Sequence, residues 1–184
     1  MNIDNHWLDE SRHVLSPNYN DFPENYVLRL IVIHCISLPP GDFGGPHIEA
    51  FFCNCLDKAL NPYFEHIAEL KVSAHLLIRR SGEIIQFVPF NKRAWHAGVS
   101  SYQGVSSCND FSLGIELEGC ETVAYEEIQY SQLAQVIQCL VRSYSNFSFE
   151  HIAGHSDIAP GRKTDPGSAF KWDKLRALLS DPNL

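Results

Sequence analysis

The sequence predicts an α/β fold, a single domain in which a mixed central β-sheet is flanked by helices. Residues 27–35 form a nearly continuous apolar run, the mark of a strand buried on both faces. Two segments with helical apolar spacing, 48–60 and 125–144, alternate with several short strand-like runs, and interspersed elements of this kind build helices onto a sheet. The chain has 184 residues, 45% of them hydrophobic and 20% charged, enough to bury one core without disulfide or metal staples.

The elements follow in order. The strand 27–35 leads into a Pro/Gly-rich stretch, 38–46, and then a helix is expected over 48–60, stopping at Asn61-Pro62. Residues 75–80 and 83–89 flank Ser81-Gly82, a turn of the kind that joins antiparallel strands. Residues 92–110 make a loop too long for a simple connector, and such loops commonly carry binding sites. Residues 112–118 alternate, with Leu113, Ile115 and Leu117 on one side and Gly114, Glu116 and Glu118 on the other. The longest helix, 125–144, has one apolar stripe of Ile128, Leu133, Val136, Ile137, Leu140 and Val141. A short strand at 151–155 and a helix at 170–179 complete the chain.

Bulk charge narrows the function classes. A net charge of -8 argues against nucleic acid or an anionic membrane surface as partner, since both call for a basic face. Residues 1–10 have neither the basic nor the apolar region of a secretory signal, and no apolar run approaches the roughly 18–20 residues that span a bilayer. A cytoplasmic protein is expected. The six cysteines show no Cys-x-x-Cys spacing and read as reduced thiols packed as small hydrophobes. An anionic ligand must then meet a local basic cluster, drawn from Lys71, Arg79, Arg80, Lys92, Arg93 and Arg162.

Nine histidines raise the expectation of a metal site. His6, His13, His47 and His66 lie in polar or irregular surroundings and read as surface residues. His34 ends a hydrophobic strand where the chain enters the Pro/Gly loop, a position both rigid and open to a cleft. His151 and His155 are separated by strand-like residues, and four strand residues span roughly 13 Å, so both cannot reach one ion. His155, at the exit into a Pro/Gly-rich loop that contains Asp165, is the better candidate. Two histidines and a carboxylate, with one position left for water, are the ligand set of a catalytic zinc. Such a site also needs a base and a cation for the developing oxyanion. Glu116 and Lys163 are available, and Glu118 points the same way as Glu116, roughly 7 Å further along the strand, so spacing alone leaves the base open.

Longer motifs go further. His34 is followed by Ile36-Ser37-Leu38-Pro39-Pro40-Gly41, and Val72-Ser73-Ala74-His75 comes next. Then come Arg93-Ala94-Trp95-His96-Ala97-Gly98-Val99-Ser100 and the run from Asn109 to Gly119. Last is Gly154-His155-Ser156-Asp157-Ile158-Ala159-Pro160-Gly161-Arg162-Lys163-Thr164-Asp165-Pro166-Gly167. In these motifs and their order the chain resembles the anhydro-N-acetylmuramyl-L-alanine amidases, members of a zinc amidase group that includes phage T7-type lysozyme and peptidoglycan recognition proteins. The resemblance covers nearly the whole chain and implies one zinc amidase domain over residues 1–184. It implies Zn²⁺ held by His34, His155 and Asp165, with Glu116 as general base and Lys163 as oxyanion stabiliser. Trp95, His96, Asn109 and Arg162 would contact the substrate, an anhydromuramyl-peptide. The implied reaction is hydrolysis of the amide between the lactyl group of N-acetylmuramic acid and L-alanine, in cell-wall recycling.

Overall fold

The computed structural model describes residues 1–181. Its centre is a six-stranded sheet made of β1 (Arg12–His13), β2 (Leu30–Ile36), β3 (Leu76–Ile78), β4 (Ile84–Gln86), β5 (Ser112–Glu118) and β6 (Ile152–Gly154). The helices are α1 (His47–Phe52), α2 (Pro62–Ile67), α3 (Glu127–Ser143), the single turn α4 (His155–Ile158) and α5 (Trp172–Leu179). Across the sheet the order is β6-β2-β5-β3-β4-β1. Strand β2 pairs in parallel with β5 and β6, β5 with β3, and β1 with β4, while β3 and β4 form the antiparallel hairpin around Gly82. The sheet is therefore mixed, as the sequence predicts.

The period-2 alternation sorts side chains between two faces. Ile31 and Ile33 of β2, Leu76 and Ile78 of β3, and Leu113, Ile115 and Leu117 of β5 form one core with Leu133, Val136, Ile137 and Leu140 of α3 and Leu175 and Leu179 of α5. Burying a side chain of this size contributes about 1.5–3 kcal/mol, so this face supplies most of the drive to fold. Gln129 fastens α3 to the sheet. Its Oε1 accepts the Glu126 N–H at the helix start, and its Nε2 donates to the carbonyls of Ile78 and Glu118.

The opposite face carries two smaller apolar clusters. One joins Leu77 and Ile85 to Ile48, Phe51, Phe52 and Phe64 of α1 and α2; the other joins Leu30 and Val32 to Ala97, Cys108, Phe111, Ala153 and Ile158. Polar residues emerge between them.

Three expectations need correction. The helix expected over 48–60 ends at Phe52, and only a 3₁₀ turn, Lys58–Leu60, continues it. The apolar spacing there is helical, but Asn54 adopts a left-handed conformation (φ +59°), which Asn tolerates better than most residues. Its amide exchanges two hydrogen bonds with that of Asn18, which draws the chain out of the helix. Asn61-Pro62 starts a helix rather than stopping one: the Asn61 side chain caps the Tyr63 N–H and Pro62 takes the first turn, where its missing N–H costs nothing. Among the four histidines read as surface residues, His13 and His66 are exposed, whereas His6 and His47 are half-buried. His6 bonds the Tyr144 hydroxyl and His47 packs on Phe64, contacts between distant segments that local polarity does not reveal.

Candidate active site

The carboxyl ends of parallel strands deliver the polar residues to one place, as α/β sheets generally do. His34 lies near the end of β2, on the face that carries Leu30 and Val32. In register beside it on β5 is Glu116, and beside that, on β3, Leu77. His155 follows β6 directly. The turn it opens is stitched to the Asp165 loop by Ser156 N–H donating to the Asp165 carbonyl (2.9 Å). That loop is itself pressed onto the segment after β5, where Thr164 Oγ1 donates to the Glu121 carboxylate. At Gly167 (φ +81°) a Cβ would stand 2.3 Å from Glu121 Cα, so only glycine allows this approach.

Three donor atoms converge. His34 Nδ1 and His155 Nδ1 are 2.9 Å apart, and each is 3.1 Å from Asp165 Oδ2. Among the described residues this trio is the group of histidine, cysteine and carboxylate side chains able to hold a metal ion. Its chemistry fits that task. Burial holds the His34 imidazole down at about 4, against the opposing pull of Asp165, so it is neutral. His155 Nε2 lies 3.1 Å from the Ala97 carbonyl, which can only accept. Arg162 Nη2 spends its hydrogens on the Ala97 and Val99 carbonyls at 2.7 Å. The His155 proton therefore sits on Nε2, and its Nδ1 presents a lone pair to the cluster. Lone pairs and a negative charge gathered at about 3 Å suit a bound cation such as zinc.

The trio lies in a cavity of about 550 Å³, a typical volume for a small-molecule site. Glu116, Trp95, His96, Arg162 and Lys163 line it with His34, His155 and Asp165; Phe51, Tyr63, Ile67 and Leu70 give it an apolar wall. Burial first, and then the Asp165 charge, push the Glu116 carboxyl well above its usual range, with Lys163 opposing. Glu116 Oε2 is cut off from solvent and has no hydrogen-bond partner. Glu118, the alternative, is fully engaged elsewhere. It accepts from Arg79 Nη1 (3.0 Å), Gly44 N–H (2.6 Å) and Arg80 N–H (3.1 Å).

Asn109 stands behind the cavity wall rather than in it. Its Oδ1 accepts the backbone N–H groups of both His96 and Ala97. The expected basic cluster does not assemble. Arg79 pairs with Glu49 and Glu118, Arg80 with Glu126, Lys92 with Asp21 and Arg93 with Asp110, so local carboxylates neutralise them. Arg162 and Lys163 are the lysine and arginine side chains that line the cavity. Sequence reasoning passed over Ser112, a fully buried hydroxyl on β5 that contacts His96. Its one signal was its polarity at a core position.

A mixed-sheet domain with a His–His–Asp trio able to hold a metal ion and a cavity carboxyl beside it has the groups a hydrolase site needs. Residues 24–168 match the N-acetylmuramoyl-L-alanine amidase family, and the chain belongs to it. The AmpD protein of Citrobacter freundii, a 1,6-anhydro-N-acetylmuramyl-L-alanine amidase, is 56% identical over 180 residues, covering 98% of this chain and 96% of its own. A crystal structure of a selenomethionine AmpD derivative superposes with a TM-score of 0.95 at 56% identity, covering 98% of this chain and all of that one (100%). A more distant structure, the E. coli amidase AmiD, is 27% identical with a TM-score of 0.60, over 85% of this chain and 60% of its own. It was solved with its substrate, anhydro-N-acetylmuramic acid-L-Ala-D-γ-Glu-L-Lys.

Proposed function

We propose that this amidase is zinc-dependent and cuts the amide between the lactyl group of 1,6-anhydro-N-acetylmuramic acid and L-alanine in peptidoglycan fragments. The observation that carries the reading is the convergence of His34 Nδ1, His155 Nδ1 and Asp165 Oδ2 in a cavity that also holds an unpartnered carboxyl. His34, His155 and Asp165 hold the metal, which when bound supplies a Lewis acid that acidifies water and polarises the scissile carbonyl. Glu116 takes the proton of the attacking water and passes it to the departing L-alanine nitrogen. Its raised pKa suits both halves of that task, since a carboxyl poised nearer neutrality exchanges protons readily in either direction. The Lys163 backbone N–H bonds the Ala159 carbonyl, but its ammonium has no hydrogen bond or ion pair among the described residues and is free to meet charge developing on the carbonyl oxygen. Trp95 and the apolar wall pack the sugar and lactyl group, and His96 and Arg162 border them. With Asn109 fixing residues 96 and 97 from behind, these side chains form one rigid wall. Residues 1–184 act as one zinc amidase domain.

The sequences and names of the relatives support the substrate, and its small size suits a cytoplasmic role in wall recycling. Six free thiols accord with a reducing compartment. The test is metal analysis followed by release of peptide from an anhydromuramyl-peptide, with and without chelator. One zinc per chain, and activity lost to chelator and regained with zinc, are expected. Full turnover by metal-free protein, or full zinc in both His155→Ala and Asp165→Ala, refutes the proposal.

A further inference from the structure

Ser112 is completely buried on β5, and no part of the chemistry above uses it. Its hydroxyl lies 2.6 Å from the Cys108 carbonyl oxygen and 3.3 Å from His96 Nε2. Two oxygens at 2.6 Å must share a proton, and only the hydroxyl has one to give. The Ser112 hydrogen is therefore committed to Cys108, and what the hydroxyl offers His96 is a lone pair. His96 Nε2 must then carry hydrogen, which leaves His96 Nδ1 bare. That bare nitrogen sits 3.0 Å from His34 Nε2, so the favourable arrangement places hydrogen on His34 Nε2. An imidazole protonated at Nε2 and neutral overall presents a lone pair at Nδ1, and His34 Nδ1 is the atom facing His155 and Asp165.

The geometry points to Ser112 and His96 as positioning residues: a hydrogen-bonded chain from the Cys108 carbonyl through Ser112 and His96 fixes the tautomer in which His34 can ligate metal. This inference rests on the zinc reading of the His–His–Asp trio. Reversing the chain exposes what it resists. If His34 carried its hydrogen on Nδ1, it could donate to Asp165 and would no longer be a ligand. His96 would then have to donate from Nδ1, and its Nε2 lone pair would face the Ser112 lone pair. The Ser112–Cys108 bond penalises that form. The ring of His96 packs directly on Gly114, where a Cβ would come within 2.4 Å of His96 Cγ, so glycine is what lets the ring sit in this chain. His155 reaches the same state by a shorter route, through its bond to the Ala97 carbonyl. Each ligand imidazole thus donates its outer N–H, the arrangement that commonly sets ring orientation and basicity at metal sites.

The experiment is long-range ¹H–¹⁵N correlation spectroscopy of histidine-labelled protein, metal-free and zinc-loaded, for wild type and Ser112→Ala, with zinc affinity from chelator competition. In metal-free wild type, His34 and His96 should both carry hydrogen on Nε2. In Ser112→Ala the penalty is gone, His34 gains an Nδ1–H population, and zinc affinity falls about 10–100-fold, the usual effect of losing an outer-shell partner. Nδ1–H on His34 in metal-free wild type, or zinc held as tightly by Ser112→Ala as by wild type, overturns the inference. The wild-type spectrum decides the matter even if the variant folds poorly. Wild type that binds no zinc refutes the metal reading itself, and the metal-free spectrum still reads the tautomer.

Discussion

Glu116 and Glu118 sit two residues apart on one strand face, and paired substitutions should separate chemistry from architecture. Glu118 is 2% exposed, with three donors on its carboxylate, one of them the Arg79 guanidinium. Glu118→Ala strands the backbone N–H groups of Gly44 and Arg80 and leaves Arg79 with Glu49 (2.7 Å) and the looser Glu83 (3.6 Å). Breaking a buried pair from one side costs about 3–5 kcal/mol. For a chain of this size that lowers Tm by on the order of 6–20 °C, at about 2–4 °C per kcal/mol. Because Gly44 belongs to the loop that brings Ser37, Leu38 and Pro40 to the cavity, KM should rise as well. Glu116→Gln removes no partner of Oε2, so Tm should not fall while kcat drops about 10²–10⁴-fold, the usual loss of a general base. Differential scanning calorimetry and peptide-release kinetics on the two variants decide it. A stable, inactive Glu118→Ala enzyme alongside a Glu116→Gln enzyme of near-normal turnover would refute the assignment.

Three further outcomes are expected. In saturating zinc, Lys163→Ala should lose about 10²–10³-fold in kcat, as for an oxyanion donor, with KM little changed; raised KM at unchanged kcat means that Lys163 binds substrate instead. The metal-free protein should show a pH-dependent stability gain in Glu116→Gln. With its folded-state pKa raised by burial, Glu116 favours folding fully below the unfolded value of about 4.3, and that contribution is lost as pH rises towards the folded value. The urea midpoint of Glu116→Gln, measured against wild type in chelator, should therefore move upward from pH 4 to pH 7.5; a gap that narrows over this range contradicts the burial argument. Thiol titration of denatured, unreduced protein should count all six cysteines, and a count well short of six overturns the free-thiol assignment.

The fold was legible wherever hydrophobic period and burial agree. The alternation of residues 112–118 correctly puts Leu113, Ile115 and Leu117 under α3 and Glu116 on the other face, because a strand has one geometry and one period. Within the run at 27–35, Leu30 to Ile33 are buried on both faces for the reason their composition suggests, whereas Val27 is exposed and precedes the strand. Legibility failed where a distant residue competes with local preference. Asn54 leaves the helix to pair with Asn18, 36 positions away, and nothing within the segment announces that partner. The basic residues failed likewise: a Lys or Arg shows its charge in sequence, but not the carboxylate that will neutralise it.

The site divides along the same line. The grouping of His34, His155 and Asp165 was legible in part: His34 lies near the end of β2 and His155 follows β6, at the edge where parallel sheets open, while Asp165 comes from the loop beyond α4. The choice of Glu116 over Glu118 was not reachable from spacing, since both face the cavity side. It depends on which carboxylate finds donors: Arg79 and two backbone N–H groups reach Glu118 and leave Glu116 bare. For Glu116 to act as the proposed base, two conditions must hold: a strand register that sets it beside His34 and a neighbour that absorbs the available cations. The ion pairs that dismantle the expected basic cluster supply the second. Arg79, had it pointed at Glu116, would have lowered the pKa of the base and filled the space where water must stand. Its burial against Glu118 is thus part of what leaves Glu116 without a partner, and the stability lost in Glu118→Ala reports on that same arrangement.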